Sequence, residues 1–242
     1  MKLLIIRHGD PDYQRDSLTK TGWHEAALLA DRLQKLEIAA FYVSPLGRAQ
    51  DTASVTLNRM GRTAETLEWL KEFPVRMYDP DIGRERVLWD WLPERWTAEP
   101  NYYDKVNWLH TPAMQLAGAQ TEYLRVCGEL DKLLEKHGYV RENNVYRAVR
   151  PNQDTVALFC HFGLECVLLS HLLGVSPMVL WHGTCAAPSS VTSLVTEERR
   201  QGVACFRMNA FGDVSHLYTV GESPSFSGRF CETWDEKSQR HD

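Results

Sequence analysis

The feature that most constrains the fold is a series of short apolar runs separated by amphipathic stretches. The first run, residues 3–6, contains no polar residue, which is typical of a parallel strand covered on both faces. A stretch with apolar residues three and four positions apart follows and predicts a helix. A second run at 39–43 and a second helix at 48–60 repeat the order. Strand, helix, strand, helix predicts a three-layer α/β/α sandwich around a mostly parallel, doubly wound sheet.

The remaining pattern predicts one domain over residues 1–242 with an irregular insertion. Strands are predicted at 64–69 and 155–160, helices at 121–137 and 164–173, a polar link at 141–154, and an antiparallel hairpin at the sheet edge from 190–196 and 203–208. Residues 73–120 are rich in Pro and aromatic residues without clear periodicity, which favours an aromatic-rich cap or lid over the sheet. Residues 222–242 are predicted to be a loosely packed C-terminal tail.

Composition excludes several classes of function. The chain has 27 Lys and Arg against 32 Asp and Glu, a net charge of −5, so no global positive field attracts nucleic acid or an anionic membrane. Six cysteines without a Cys-x-x-Cys pair favour reduced thiols in a cytoplasmic protein. Nine histidines without ligand spacing predict no metal site, and no run approaches the ~20 apolar residues of a membrane span. The oligomeric state is left open, with a homodimer as one option.

Three predicted strands lead into residues that suit a phosphate group. The first strand ends in Arg7 and His8, the second leads to Arg48 at the start of a helix, and the strand at 155–160 ends in His161. The carboxyl ends of parallel strands share one edge of a sheet, so these side chains are expected to converge. Arginine forks match phosphate oxygens, and an imidazole nitrogen can attack phosphorus to form a phosphohistidine. Such a site needs no metal or other cofactor.

Five stretches, in order, carry a resemblance to a known family: LLIIRHGD, LTKTGWHEAALLADRL, VSPLGRAQDTA, LFCHFGLECVLLSHLLG and MNAFGDVSHL. They resemble the successive motifs of the histidine phosphatase superfamily, also called phosphoglycerate mutase-like, and span residues 1 to about 217. The resemblance implies that His8 becomes phosphorylated and that Arg7, Arg48 and His161 bind the phosphoryl group. It also implies that Glu72, in the stretch LKE, is the general acid.

Several positions depart from the family pattern, among them Gln14, which stands where the family often has asparagine. Phe162 follows His161 where the family has glycine, and its backbone is predicted to contribute to phosphate binding. The stretch after Glu72 also differs, which leaves other carboxylates as candidates for the acid and a solvated surface carboxylate as the alternative reading of Glu72. These rivals are Asp79, Asp81, Glu85 and Asp90.

The predicted function is hydrolysis of a small-molecule phosphomonoester through a phosphohistidine on His8, as in a histidine acid-type phosphatase. Two alternatives stay open at this point. One is a phosphoglycerate-type phosphomutase, which returns the phosphoryl group to its substrate. The other is a non-catalytic protein that binds a phosphorylated ligand.

Overall fold

The computed structural model describes residues 1–79 and 82–241. An eight-stranded sheet carries helices on both faces, which confirms the predicted α/β/α architecture. None of the helices in the described ranges is long and apolar enough to cross a membrane.

The strands are β1 (Lys2–Arg7), β2 (Pro11–Asp12), β3 (Ser17–Leu18), β4 (Ala40–Val43), β5 (Glu65–Thr66), β6 (Arg76–Asp79), β7 (Arg84–Val87), β8 (Tyr139–Glu142), β9 (Val145–Ala148), β10 (Thr155–Cys160), β11 (Val191–Arg200) and β12 (Val203–Asp213). The α-helices are α1 (Lys20–Leu33), α2 (Gly47–Met60), α3 (Pro93–Trp96), α4 (Pro112–Leu116), α5 (Ala119–Lys136), α6 (Phe162–Leu173), α7 (Pro177–Gly183) and α8 (Ser215–Tyr218). Short 3-10 helices cover Glu68–Leu70, Pro100–Tyr103 and Asn107–His110.

The main sheet has the order β5-β4-β10-β1-β11-β12-β9-β8. Pairing is parallel from β5 to β1 and antiparallel from β1 to β8. In the register, Arg7 lies beside Cys160, and Val43 lies beside Phe159. The residues that follow β1, β4 and β10 therefore emerge together at one edge of the parallel half.

The two faces of the sheet are covered by different helices. Leu4 and Ile6 of β1 pack in one apolar cluster with residues of α1 and α2. Leu3 and Ile5 pack in a larger cluster with residues of α5 and α6. This alternation follows from the pleat of a strand, which sends successive side chains to opposite faces. Because both faces are covered, residues 3–6 of β1 are all apolar and buried.

Two sequence predictions of the sheet were wrong. The β11-β12 hairpin does not form the edge, because β8 and β9 pair beyond it in a region that was predicted to be a polar link. In β9, buried Tyr146 and Ala148 alternate with exposed Val145 and Arg147, a pattern too short and too charged to stand out. The third parallel strand, predicted over 64–69, is only β5, and a 3-10 turn follows it.

The insertion at 73–120 contains the separate β6-β7 hairpin, two short helices and two 3-10 turns. Its division from the rest of the chain as a cap stays a prediction. The described part of the C-terminal tail, residues 222–241, which we call the C-terminal segment, contains no helix or strand. It is nevertheless held to the body, because the Ser225 hydroxyl donates to Asp10 and the Ser225 amide donates to Glu25.

Candidate active site

His8 follows β1 directly and is only 2% exposed. Its Nδ1 lies 2.7 Å from the Gly9 carbonyl oxygen, so Nδ1 carries the proton and donates it. Burial lowers the pKa of His8 well below its usual value, and the charge of Arg7 lowers it further. The ring is therefore neutral at physiological pH, with the lone pair on Nε2. That state is the one in which imidazole acts as a nucleophile.

His161 follows β10 and lies beside His8, with 5.1 Å between the ring centroids. Its Nε2 lies 2.8 Å from the Ser44 hydroxyl, which also accepts a hydrogen bond from the Leu46 amide. The hydroxyl can donate to Nε2 or accept from it, and when it donates, Nδ1 of His161 carries the ring proton. Nδ1 has no hydrogen-bond partner among the described residues. Burial lowers the pKa of His161 well below its usual value, and His8 and the arginines reinforce this.

Arg7 and Arg48 bring positive charge to the two histidines. Arg7 is 5% exposed and donates through Nη1 to the Ala186 carbonyl, while its Nε is unpartnered. Arg48 donates to Asp16, 2.5 Å away, and its Nε is also unpartnered. Asp16 further accepts a 2.7 Å bond from the Gly47 amide at the start of α2, which fixes the position of Arg48. Both arginines keep donor capacity for an anion.

Glu72 is tied to this cluster through the backbone that follows His161, the first turn of α6. Oε1 accepts hydrogen bonds of 2.9 Å from the amides of Phe73 and Leu164, and Oε2 accepts a longer one of 3.3 Å from Gly163. Burial raises the pKa of Glu72 in spite of these bonds. Oε2, which has the weaker contact, is the oxygen better able to carry a proton.

Gly163 shows why the glycine is displaced by one position from the family pattern. A Cβ at Gly163 would lie 2.6 Å from the Trp89 ring and 2.8 Å from Glu72. The first turn of α6 therefore needs glycine where it meets the insertion and the acid. Phe162 starts this helix, and its ring centroid lies 5.9 Å from the Arg7 guanidinium carbon. The role of Phe162 in phosphate binding stays a prediction.

The described rivals of Glu72 are engaged elsewhere. Asp79 is buried and paired with Arg86 at 3.2 Å, and Glu85 lies on the exposed side of β7. Asp90 accepts a bond from Arg240 in the C-terminal segment. Asp81 lies outside the described residues.

Glu165 on α6 is a buried carboxyl that the sequence reasoning missed. It is 1% exposed, and neither oxygen has a hydrogen-bond partner among the described residues. Burial raises its pKa to about 7, and the Thr192 hydroxyl and the charge of the Arg7 guanidinium oppose this rise. The available signal was a single charged residue within the otherwise apolar first turns of α6.

The C-terminal segment also reaches the site. A Cβ on Gly228, which has a φ of +80°, would lie 2.7 Å from Nη2 of Arg7. Backbone from a point more than 200 residues along the chain therefore covers one side of this arginine. No cluster of three or more His, Cys, Asp or Glu residues that could hold a metal ion occurs within 1–79 and 82–241.

Comparison with known proteins agrees with this geometry. A family model described as histidine phosphatase superfamily (branch 1) matches residues 3–112. Over these residues, 110 of the 242 in the chain, the sequence is similar to that superfamily. A search of curated proteins finds no match.

Solved structures with a similar fold include two phosphatases. A phosphoserine phosphatase mutant from Entamoeba histolytica, in complex with phosphoserine, is 19% identical with a TM-score of 0.56, over 89% of this chain and 98% of that one. A mycobacterial glucosyl-3-phosphoglycerate phosphatase is 21% identical with a TM-score of 0.55, and the match covers 87% of this chain and 98% of that one. At these identities the similarity establishes the shared fold.

Proposed function

We propose that this protein is a phosphomonoester hydrolase that works through a phosphohistidine on His8 and needs no metal ion. The observation that carries the proposal is the state of His8. Its Nδ1 proton is bound to the Gly9 carbonyl, its Nε2 is unprotonated, and two arginines and a second histidine surround it. The names of the two phosphatases that share the fold agree with this reaction class.

In the first step, Nε2 of His8 attacks the phosphorus atom and forms a P–N bond. The P–O bond to the alcohol breaks, and its electron pair stays on the alcohol oxygen. Glu72 protonates that oxygen, because burial raises the pKa of its carboxyl and so favours the protonated form. Arg7, Arg48 and the Nδ1 proton of His161 stabilise the charge on the remaining phosphoryl oxygens.

In the second step, water attacks the phosphorus of the phosphohistidine. Glu72, now ionised, accepts a proton from that water, and the P–N bond breaks with its electron pair returning to Nε2. Inorganic phosphate leaves, and the site is restored. Burial of both histidines keeps bulk water from competing with the positioned donors.

The test is phosphate release from a panel of esters in the presence of EDTA, including phosphoserine and glucosyl-3-phosphoglycerate. We expect release by the native protein, trapped acid-labile phosphate on it, and loss of both in His8→Ala. The matched control is His24→Ala, which removes an exposed histidine paired with Glu222. Release that survives in His8→Ala would refute the proposal.

Two further outcomes would reassign the function. Transfer that requires a bisphosphorylated primer would indicate a mutase. Tight ester binding without turnover, unchanged in His8→Ala, would indicate a binding protein. A small-molecule substrate and a cytoplasmic location remain predictions within this proposal.

A further inference from the structure

A cavity of about 410 Å³ opens between the insertion and the C-terminal segment. Six aromatic side chains line it, and we call it the aromatic cavity. They are Trp89, Trp91, Trp96, Phe162, Trp181 and Phe230. The volume falls within the ~300–1,000 Å³ that is usual for small-molecule sites.

The aromatic cavity borders the candidate phosphate site through Arg7. Arg7 and Phe162 line it at one end, and each is the sequence neighbour of a site histidine. An ester whose phosphoryl group is bound by Arg7 and His8 can therefore place its alcohol part in this space. The cavity is thus positioned to select the alcohol.

Aromatic rings make up much of the walls. Trp89 packs on Trp181 with 6.1 Å between ring centroids, and Trp96 stacks on His182 at 5.1 Å with an interplanar angle of 19°. The described lining contains no Ser, Asn, Gln or Tyr, and Thr184 supplies its hydroxyl group. A polyhydroxylated alcohol would lose hydrogen bonds to water here without finding enough replacements, which opposes its binding. A flat apolar ring makes no hydrogen bonds to water that it could lose on binding, and it would gain contact with the aromatic faces.

The charged groups of the lining are paired in ways that leave the aromatic faces as the main binding surface. Asp90 accepts from Arg240 at 2.5 Å, and Arg229 pairs with Glu232. The guanidinium carbon of Arg240 also lies 4.4 Å from the ring centroid of Phe230. Phe230 is therefore held against the insertion by a cation-π contact that is itself anchored on Asp90.

We propose that the aromatic cavity holds the alcohol part of the substrate, that this part carries a flat aromatic ring, and that Phe230 is a specificity-determining residue. This inference rests on the proposed function, since it assumes that the phosphoryl group lies at His8. It goes further by naming the chemical class of the ester. It also assigns the C-terminal segment a part in substrate selection.

The first test measures binding in the His8→Ala protein, because this variant cannot form the phosphohistidine and so should not consume its ligand. Isothermal titration compares 1-naphthyl phosphate, glycerol 3-phosphate and inorganic phosphate. We expect 1-naphthyl phosphate to bind at least about tenfold more tightly than glycerol 3-phosphate, from the apolar area that the ring buries. Equal affinity of the two esters would overturn the inference.

The second test adds Phe230→Ala or Phe230→Leu to the His8→Ala protein. Either change should weaken 1-naphthyl phosphate binding by about fivefold through loss of an aromatic face, and leave inorganic phosphate binding unchanged. Phe230→Leu keeps an apolar side chain, so it separates loss of the flat ring from loss of packing. The matched control is Tyr218→Ala, which removes an aromatic residue that is 62% exposed and outside the cavity lining.

The outcomes distinguish this inference from the proposed function. A preference for 1-naphthyl phosphate in binding, without His8-dependent release from any ester, would refute the proposed hydrolysis but support the cavity as an aromatic site. His8-dependent hydrolysis with no preference in binding would refute the inference alone. A Phe230 variant that weakens both esters and inorganic phosphate equally would also refute it, since the residue would then act on the phosphate site.

Discussion

Replacing Glu165 with glutamine should make the protein more stable at neutral and alkaline pH. Glu165 is fully buried without a hydrogen-bond partner among the described residues, and burial raises its pKa to about 7. A free glutamate has a pKa near 4.5. Below pH 4.5 the carboxyl is protonated in both the folded and the unfolded chain, so it makes no pH-dependent contribution. Between 4.5 and 7 the unfolded chain releases this proton and the folded chain keeps it, so the free energy of unfolding falls as pH rises.

The magnitude follows from the two pKa values. Their difference corresponds to about 3 kcal/mol, of which about 2 kcal/mol is lost between pH 5 and pH 8. Glutamine has nearly the same shape and does not ionise, so Glu165→Gln lacks this loss. The free energy of unfolding of the variant minus that of the native protein should therefore increase by about 2 kcal/mol over this interval.

Urea unfolding followed by tryptophan fluorescence at pH 5, 6, 7 and 8 measures this difference. Glu94→Gln, at an exposed position on α3, controls for the general effect of the substitution. A difference between Glu165→Gln and native protein that stays constant over the four pH values would refute the reasoning. That result would mean that the carboxyl reaches water or a partner when it ionises.

Three further predictions concern the site. Glu72→Gln should slow phosphate release from alkyl phosphates far more than from p-nitrophenyl phosphate, whose leaving group needs no proton. In the native protein, turnover of alkyl esters should fall as pH rises through the raised pKa of Glu72. Equal losses of activity on both esters would contradict the role of Glu72 as the acid. Ser44→Ala should lower kcat about fivefold, because it removes the hydroxyl that lies 2.8 Å from Nε2 of His161 and orients the ring. The affinity for inorganic phosphate should change little. Stopped-flow kinetics measures the first quantity and isothermal titration the second. Gly163→Ala should lower the free energy of unfolding by about 1–3 kcal/mol and reduce activity, because the new methyl group would overlap Trp89. Thermal unfolding that matches the native protein would contradict this, since it would show that the first turn of α6 can move to make room.

The convergence of the candidate site residues could be predicted from sequence because a simple geometric rule governs it. Arg7, His8 and His161 directly end or follow strands whose apolar runs are plain, and parallel strands bring their carboxyl ends to the same edge. The resemblance to family motifs added the role of each residue. Arg48 follows from the same rule, since it lies in the first turn of the helix after β4.

Other parts of the fold could not be predicted, because their positions depend on distant segments. β8 and β9 are only four residues each, and they pair with the far strand β12. The approach of Gly228 to Arg7 leaves no periodic pattern in the sequence. Glu165 was missed because a carboxylate on a helix is normally solvated, and its burial is set by α6 lying within the core.

The central position of β1 has a consequence for how the protein is made. β1 leaves the ribosome before β10 and β11, the two strands it pairs with, which lie about 150 and 190 residues further along the chain. Closing such long loops is slow and must wait for the second half of the chain, so Arg7 and His8 spend most of synthesis without His161 or Gly228 beside them. We therefore expect a nascent chain to acquire its full phosphate affinity only when residue 228 has emerged, so that ligand binding reports the docking of the C-terminal segment on the sheet.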